Sequence, residues 1–224
     1  MTDTESPESI RTKTPTAGII LAAGESRRFG EPKQLHRLGG RFLIEWVLQA
    51  ALESSLDRVV LVLGCEQGRI RRSLLKWTTH PKCTVHENPD YGDGLSTSLK
   101  VGVASIEHDF PSVMFLLGDQ PMVNAALIDL LLRQFAQSEK SICVPAHRGT
   151  RGNPALFAKP HYPAILNLTG DTGARDLITA HPEEVLAVEV PDPQVFLDID
   201  RREDAEKIAR LLNSDSHLKK HPSD

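Results

Sequence analysis

The sequence predicts an α/β domain with a mostly parallel sheet and helices on both faces. Two observations carry this. Short apolar runs alternate with segments of helical period along most of the chain, as in repeated strand–helix–strand units. Two of the runs, DRVVLVLG and PSVMFLLGD, are almost continuously apolar, as strands buried on both faces are. A chain of 224 residues with 40% hydrophobic residues can fill one such core.

The elements follow in order. TAGIILAA is the first strand. FLIEWVLQAALE places Leu43, Trp46, Val47 and Ala50 on one helical face. DRVVLVLG (57–64) is a β-branched strand ended by glycine. EQGRIRRSLLKW repeats apolar residues at Ile70, Leu74 and Trp77, which predicts one helix with basic residues outside. KCTVHEN is a short strand. GLSTSLKVGVASI lines up Leu95, Leu99, Val103 and Ile106, and PSVMFLLGD follows as a buried strand. NAALIDLLLRQFA is helical, and KSICVPA is another strand. From His147 to about Pro163 the pattern breaks into short pieces rich in Gly, Arg and Pro. TGDTGARDLITAHP reads as a turn and a helix, VLAVEV and VFLDID as late strands, and EDAEKIARLL as a closing helix. The expected organisation is a disordered lead over 1–15, one domain over 16–212 and a flexible tail over 213–224.

Composition narrows the function. Lys+Arg 26 against Asp+Glu 30 gives a net charge of −4, which argues against a nucleic-acid or membrane-surface binder. The cysteines Cys65, Cys83 and Cys143 are far apart and lack ligand spacing, so they read as small buried hydrophobes in a reducing compartment. No apolar run is long enough to span a bilayer, and the polar N-terminus lacks a signal-peptide core. A cytoplasmic location is the expectation. His147 and His161 stand alone and read as ordinary surface residues.

The stretch LAAGESRRFGEPK (21–33) is longer than a strand–helix connection needs. It leaves the carboxyl end of a strand, where ligands of doubly wound sheets bind. Gly24 and Gly30 let backbone N–H groups come close to a ligand. Arg27, Arg28 and Lys33 add cationic donors suited to phosphate oxygens. The stretch fits neither GxxxxGK[ST] nor GxGxxG. A polyphosphate is the simplest ligand, with a solvated basic loop as the alternative.

Leu21-Ala22-Ala23-Gly24, Arg28-Phe29-Gly30 and Pro32-Lys33-Gln34-Leu35 resemble the signature of nucleotidyltransferases with a GT-A-like fold. The chain is most similar to the molybdenum cofactor cytidylyltransferase family. HENPDYGDGLSTSLKVGV, FLLGDQP, RGNPALF, GDTGAR and FLDIDRREDA occur in that family's order, so the resemblance covers roughly residues 17 to 210. It implies a Rossmann-like, mostly parallel sheet. It also implies transfer of a nucleoside monophosphate from an NTP to a phosphorylated acceptor, with release of pyrophosphate.

On this resemblance Leu21, Ala22, Ala23 and Gly24 cradle the triphosphate, while Arg28 and Lys33 neutralise its charge. Ala23, which is Gly in the guanylyltransferase relatives, favours CTP over GTP. Asp119 and Asp200 are the implied ligands of Mg²⁺, with Asp198 on the opposite face of its strand orienting neighbours. Asn88, Gly94, Ser96 and Ser98 match the nucleoside segment. The helix opened there offers free N–H groups to a polar ligand. Gly152 and Asn153, with Asp171 and Arg175, match the acceptor side. Arg201-Arg202 depart from the family's usual Thr-Pro. The implied partners are CTP, molybdenum cofactor and a molybdenum hydroxylase client such as xanthine dehydrogenase. Two rival expectations are the same fold acting on another NTP or phosphorylated acceptor, and a non-enzymatic protein that hands cofactor to its client.

Overall fold

A computed structural model describes residues 14–218, with side chains through 212. The lead expected over 1–15 falls outside the described residues except for Thr14 and Pro15. In chain order the strands are β1 (Thr16–Ala22), β2 (Arg37–Leu38), β3 (Arg41–Phe42), β4 (Arg58–Leu63), β5 (Cys83–Glu87), β6 (Ser112–Leu117), β7 (Ile142–His147), β8 (Thr150–Arg151), β9 (Ala155–Ala158) and β10 (Val185–Glu189). The helices are α1 (Leu43–Glu53), α2 (Gln67–Ser73), α3 (Leu75–Thr78), α4 (Leu95–Ala104), α5 (Ala125–Ala136), α6 (Tyr162–Leu166), α7 (Ala174–Ala180) and α8 (Arg202–Leu218). The closing helix thus runs beyond position 212, where the tail was expected to begin.

The main sheet has the order β10-β7-β9-β6-β1-β4-β5, with β8 paired to β7, while β2 and β3 form a separate ribbon. It is mostly parallel, as expected: β1 pairs in parallel with β4 and β6, β4 with β5, and β7 with β10. β9 alone among the described long strands runs backwards, antiparallel to both β6 and β7. It lies inside the stretch that looked irregular in sequence, because four residues, ALFA, carry no readable period.

Helices cover both faces because the inner strands are apolar at consecutive positions. Ile20, Ala22 and Leu61 pack with Ile44, Val47, Leu48, Leu127 and Leu131 of α1 and α5 on one side. Ile19, Leu21 and Val60 pack with Leu99, Val103, Ile165 and Leu177 of α4, α6 and α7 on the other. A third, smaller cluster joins Phe29, Leu38, Leu43, Ile199, Ala205 and Ile208. Burying an aromatic or aliphatic side chain of this kind stabilises by about 1.5–3 kcal/mol. The cluster therefore fastens the loop after β1 to the segment before α8.

Three expectations need correction. The helix predicted through Ile70, Leu74 and Trp77 is two helices, broken at Leu74 (φ −110°, ψ 20°). The break turns Trp77 back to α1, where its Nε1 donates to Glu45 at 2.8 Å. VFLDID is not a strand. Its first part is a 3₁₀ turn, Pro193–Phe196, and the Ile199 N–H then donates to the Asp119 carbonyl at 3.0 Å, across the end of β6 rather than along it. His161 is buried (6% exposed), with Nε2 2.8 Å from Ser141 Oγ and 3.2 Å from the Glu184 carboxylate. His147 is largely covered and its Nδ1 lies 2.8 Å from the Val190 carbonyl.

Candidate active site

The chain goes from β1 to β4 and β5 on one side, then returns to place β6 on the other. The carboxyl ends of β1 and β6 are thus the topological switch point, where doubly wound sheets bind ligands. A cavity of about 490 Å³ lies there, walled by the loop after β1 (Leu21 to Arg27, Lys33, Gln34), the end of β6 (Leu117 to Asp119) and the start of α4.

Lys33 occupies its charged end. The side chain is 18% exposed, and Nζ donates to Asp119 Oδ2 at 2.7 Å, to Asp200 Oδ1 at 3.1 Å and to the Ile199 carbonyl at 3.0 Å. Burial works against its charge, but the Asp119 and Asp200 carboxylates outweigh burial and hold the ammonium above the ordinary lysine value. Asp198 is held above the usual carboxylate range, by desolvation first and then by the Asp119 and Asp200 charges. Asp119 Oδ1 is buried and has no hydrogen-bond partner among the described residues. One ammonium thus bonds two carboxylates, and the charges of both bear on Asp198.

The apolar cluster explains how residues so far apart in sequence meet. Phe29 and Ile199 are both buried in it, so Arg28 and Lys33 are brought to Asp200. Arg28 Nη1 lies 3.3 Å from Asp200 Oδ2 and is otherwise exposed, outside the cavity wall. Arg27 lines the cavity and pairs with Glu25.

Other expected residues divide. Leu21, Ala22, Ala23, Gly24, Gly94 and Asp171 line the cavity, as does Ser98. A Cβ on Gly24 would meet nothing within 4 Å, so the open side of this residue is free for ligand. Gly94 is different: at φ +110° it needs glycine, and a Cβ would lie 2.3 Å from the Gly170 backbone. Its close approach is to the 170–171 turn rather than to open space. The Ser96 N–H donates to the Gly170 carbonyl at 3.1 Å, so that donor of α4 is not free as expected.

Asn88 is 1% exposed and does not reach the cavity. Its Nδ2 donates to Thr97 Oγ1 at 2.8 Å and to Ser98 Oγ at 2.9 Å, and its Oδ1 accepts from the Asp90 N–H at 3.1 Å. It braces residues 94–98 from behind. Ser96 is likewise buried, with its Oγ unpartnered among the described residues.

Gly152 and Asn153 stand outside the cavity but at the same edge of the sheet. Ala155 of β9 lies opposite Phe115 of β6, so the residues before it run alongside the end of β6 toward Asp119. A Cβ on Gly152 would sit 2.2 Å from the Phe196 ring, which ties this turn to the segment carrying Asp198 and Asp200. Arg175 is exposed on α7 and does not line the cavity.

Sequence reading passed over Gln34, Tyr91 and Leu95, which also line the cavity. Leu95 lies on the apolar stripe of α4 and reads as a core residue, yet it is exposed at the helix start. Gln34 and Tyr91 carried only their place inside the Pro32-Lys33-Gln34-Leu35 and HENPDYGDGLSTSLKVGV segments.

The family model for the MobA-like NTP transferase domain matches residues 18–185. The chain belongs to this family. Among the curated relatives of this MobA-like protein, the purine catabolism protein PucB of Bacillus subtilis is 30% identical over 206 residues, covering 88% of this chain and 97% of the relative. The molybdenum cofactor cytidylyltransferase of Escherichia coli is 27% identical over 188 residues, covering 83% of this chain and 91% of the relative. Of the solved structures, the manganese complex of Rv0371c from Mycobacterium tuberculosis H37Rv superposes with a TM-score of 0.71 at 25% identity, covering 88% of this chain and 99% of that one. The fold is of the GT-A-like nucleotidyltransferase type, and the MobA-like protein is a nucleotidyltransferase.

Proposed function

We propose that the protein transfers CMP from CTP to the phosphate of a molybdopterin-type molybdenum cofactor and releases pyrophosphate. The observation that carries this reading is Lys33 held between Asp119 and Asp200 at the end of a cavity walled by Leu21-Ala22-Ala23-Gly24. The name of the Escherichia coli relative, which this chain covers almost fully, supports the acceptor and the nucleotide.

A divalent ion fits the donor set. Asp119 Oδ1 is buried with no partner among the described residues and Asp198 is crowded by like charge, so Asp119 and Asp200 would hold Mg²⁺ or Mn²⁺. The manganese bound by Rv0371c supports a divalent cofactor. When bound, the ion neutralises phosphate charge and orients the triphosphate.

The chain's own groups do the rest by position and charge. The Gly24 wall gives the triphosphate close backbone contact. Lys33 leaves one of its carboxylate partners and places its ammonium on the phosphates as the P–O bond to pyrophosphate breaks. An oxygen of the acceptor phosphate forms the new bond to the α-phosphorus, so no covalent protein intermediate is required. Asp171 on the cavity wall, with Gly152 and Asn153 at the sheet edge, face the acceptor side.

Pyrophosphate release in Mg²⁺ tests the reading, measured with CTP, GTP, ATP and UTP, with and without molybdenum cofactor. Release that requires CTP and the cofactor together is expected. Release with another NTP or another phosphorylated acceptor would replace the assigned substrate. Binding of CTP and cofactor without turnover would make the protein a cofactor carrier and overturn the transfer step.

A further inference from the structure

We propose that Gln34 is the positioning residue of the triphosphate wall, acting through the backbone; this rests on the nucleotide site assigned above. Gln34 is 4% exposed. Its Nε2 donates to the Ala22 carbonyl at 2.9 Å and to the Gly24 carbonyl at 3.2 Å. Both partners are acceptors, so the amide must present nitrogen, not oxygen, to them. The amide Oε1 lies 3.5 Å from Ser26 Oγ, which accepts the Lys33 N–H at 3.2 Å. The residue next to the cationic lysine is thus bonded to both ends of the turn that Lys33 serves.

The neighbouring carbonyls are held as well. Leu21 O accepts from the Gly118 N–H at 3.0 Å, and Ala23 O from the Cys65 N–H at 3.0 Å. Four successive carbonyls, from Leu21 to Gly24, are therefore committed to the protein: two to backbone and two to Gln34. In a trans peptide the carbonyl and the following N–H point in opposite directions. Fixing Ala22 O fixes the Ala23 N–H, and fixing Gly24 O fixes the Glu25 N–H, both directed away from the Gln34 amide. Ala23 and Glu25 line the cavity.

Gln34 thus does two things for an anion: it turns away the carbonyl oxygens that would repel phosphate, and it aims N–H donors. Because it acts through the peptide, its effect scales with the number of phosphates against the wall.

Gln34→Glu tests this with little change in shape, replacing the donor with an acceptor against two carbonyls. Gln34→Met has similar length with no polar atom, and serves if the glutamate variant does not fold. Binding is measured by calorimetry for the triphosphate the wild type turns over and for its di- and monophosphate, with KM and kcat for the triphosphate. Mn²⁺ alone is followed by electron paramagnetic resonance. The expected result is a rise of about tenfold or more in triphosphate Kd and KM, as for loss of oriented donors to a charged group. The loss is expected to shrink from tri- to di- to monophosphate, with Mn²⁺ affinity within about twofold of wild type. Triphosphate Kd and KM within about twofold of wild type, or equal losses for all three nucleotides, would overturn the role. A wild type that binds no NTP would instead overturn the nucleotide site on which the role rests.

Discussion

The two edges of the main sheet handle polar groups in opposite ways. At the amino edge, where β1, β6, β7 and β10 begin, polar groups close on one another. Thr16 Oγ1 and Ser112 Oγ are 2.6 Å apart, the Thr16 N–H donates to Asp57 Oδ2 at 2.9 Å, and Ser141 bonds to both His161 and Glu184. At the carboxyl edge two carboxylates share Lys33, one buried carboxylate oxygen has no partner among the described residues, and a cavity opens beside them. At the starts of β1, β6 and β7 these polar groups satisfy one another. Buried polar groups are normally paired, so an edge that leaves one unpaired marks the site.

The comparison can be broken at its strongest point first. Asp119→Asn keeps the shape of the carboxyl edge but removes a charge from the proposed metal site. Turnover is expected to fall by about 100-fold or more, as when charge stabilisation is removed from a transition state, while the variant remains folded with a lowered thermal transition, since Lys33 loses a charged partner. Normal turnover would return Asp119 to the role of a lysine partner only.

Lys33→Ala is expected to do less. NTP KM should rise by about tenfold, as for one lost charge-assisted contact, while Mn²⁺ alone should bind more tightly because its competitor for Asp119 and Asp200 is gone. Weaker Mn²⁺ binding in this variant would mean that the lysine organises the carboxylates rather than competing for them.

The amino edge supplies the smallest effect and the control. Burial lowers the His161 pKa below the ordinary value of 6.5, against the opposing pull of Glu184 and with help from His181. The fold therefore favours neutral His161. This contribution is complete above about pH 6.5 and is lost as pH falls toward the folded value. Urea midpoints should decline from pH 7 to pH 5 in the wild type, and His161→Gln should flatten that decline without changing NTP KM. An altered KM would show that the two edges are coupled.

How far the sequence reached follows the same division. Charge and glycine at the end of an apolar strand announce a ligand loop, because such groups are costly where a chain should only turn. Hence Gly24 and Lys33 stand out as candidates from the loop itself, whereas Asp119 is a candidate only through the family resemblance. What stayed hidden depends on tertiary contact. Ile199 looks like a strand residue until it is seen buried against Phe29. Gln34 stands in the Pro32-Lys33-Gln34-Leu35 motif, but its bonds stay hidden, since both carbonyls it holds lie ten or more residues back. Asn88 looks like a ligand contact, yet its three hydrogen bonds go to its own loop and helix. β9 is too short to show its period and too buried to show a polar face.

The central claim is that the carboxyl edges of β1 and β6 hold a nucleoside triphosphate and a divalent ion together. A crystal grown with CTP and Mn²⁺ tests it directly through the manganese anomalous signal. The account predicts a peak about 2.2 Å from a carboxylate oxygen of Asp119, with the triphosphate against Gly24 and Lys33. A peak remote from Asp119, with the cavity free of nucleotide, would contradict it.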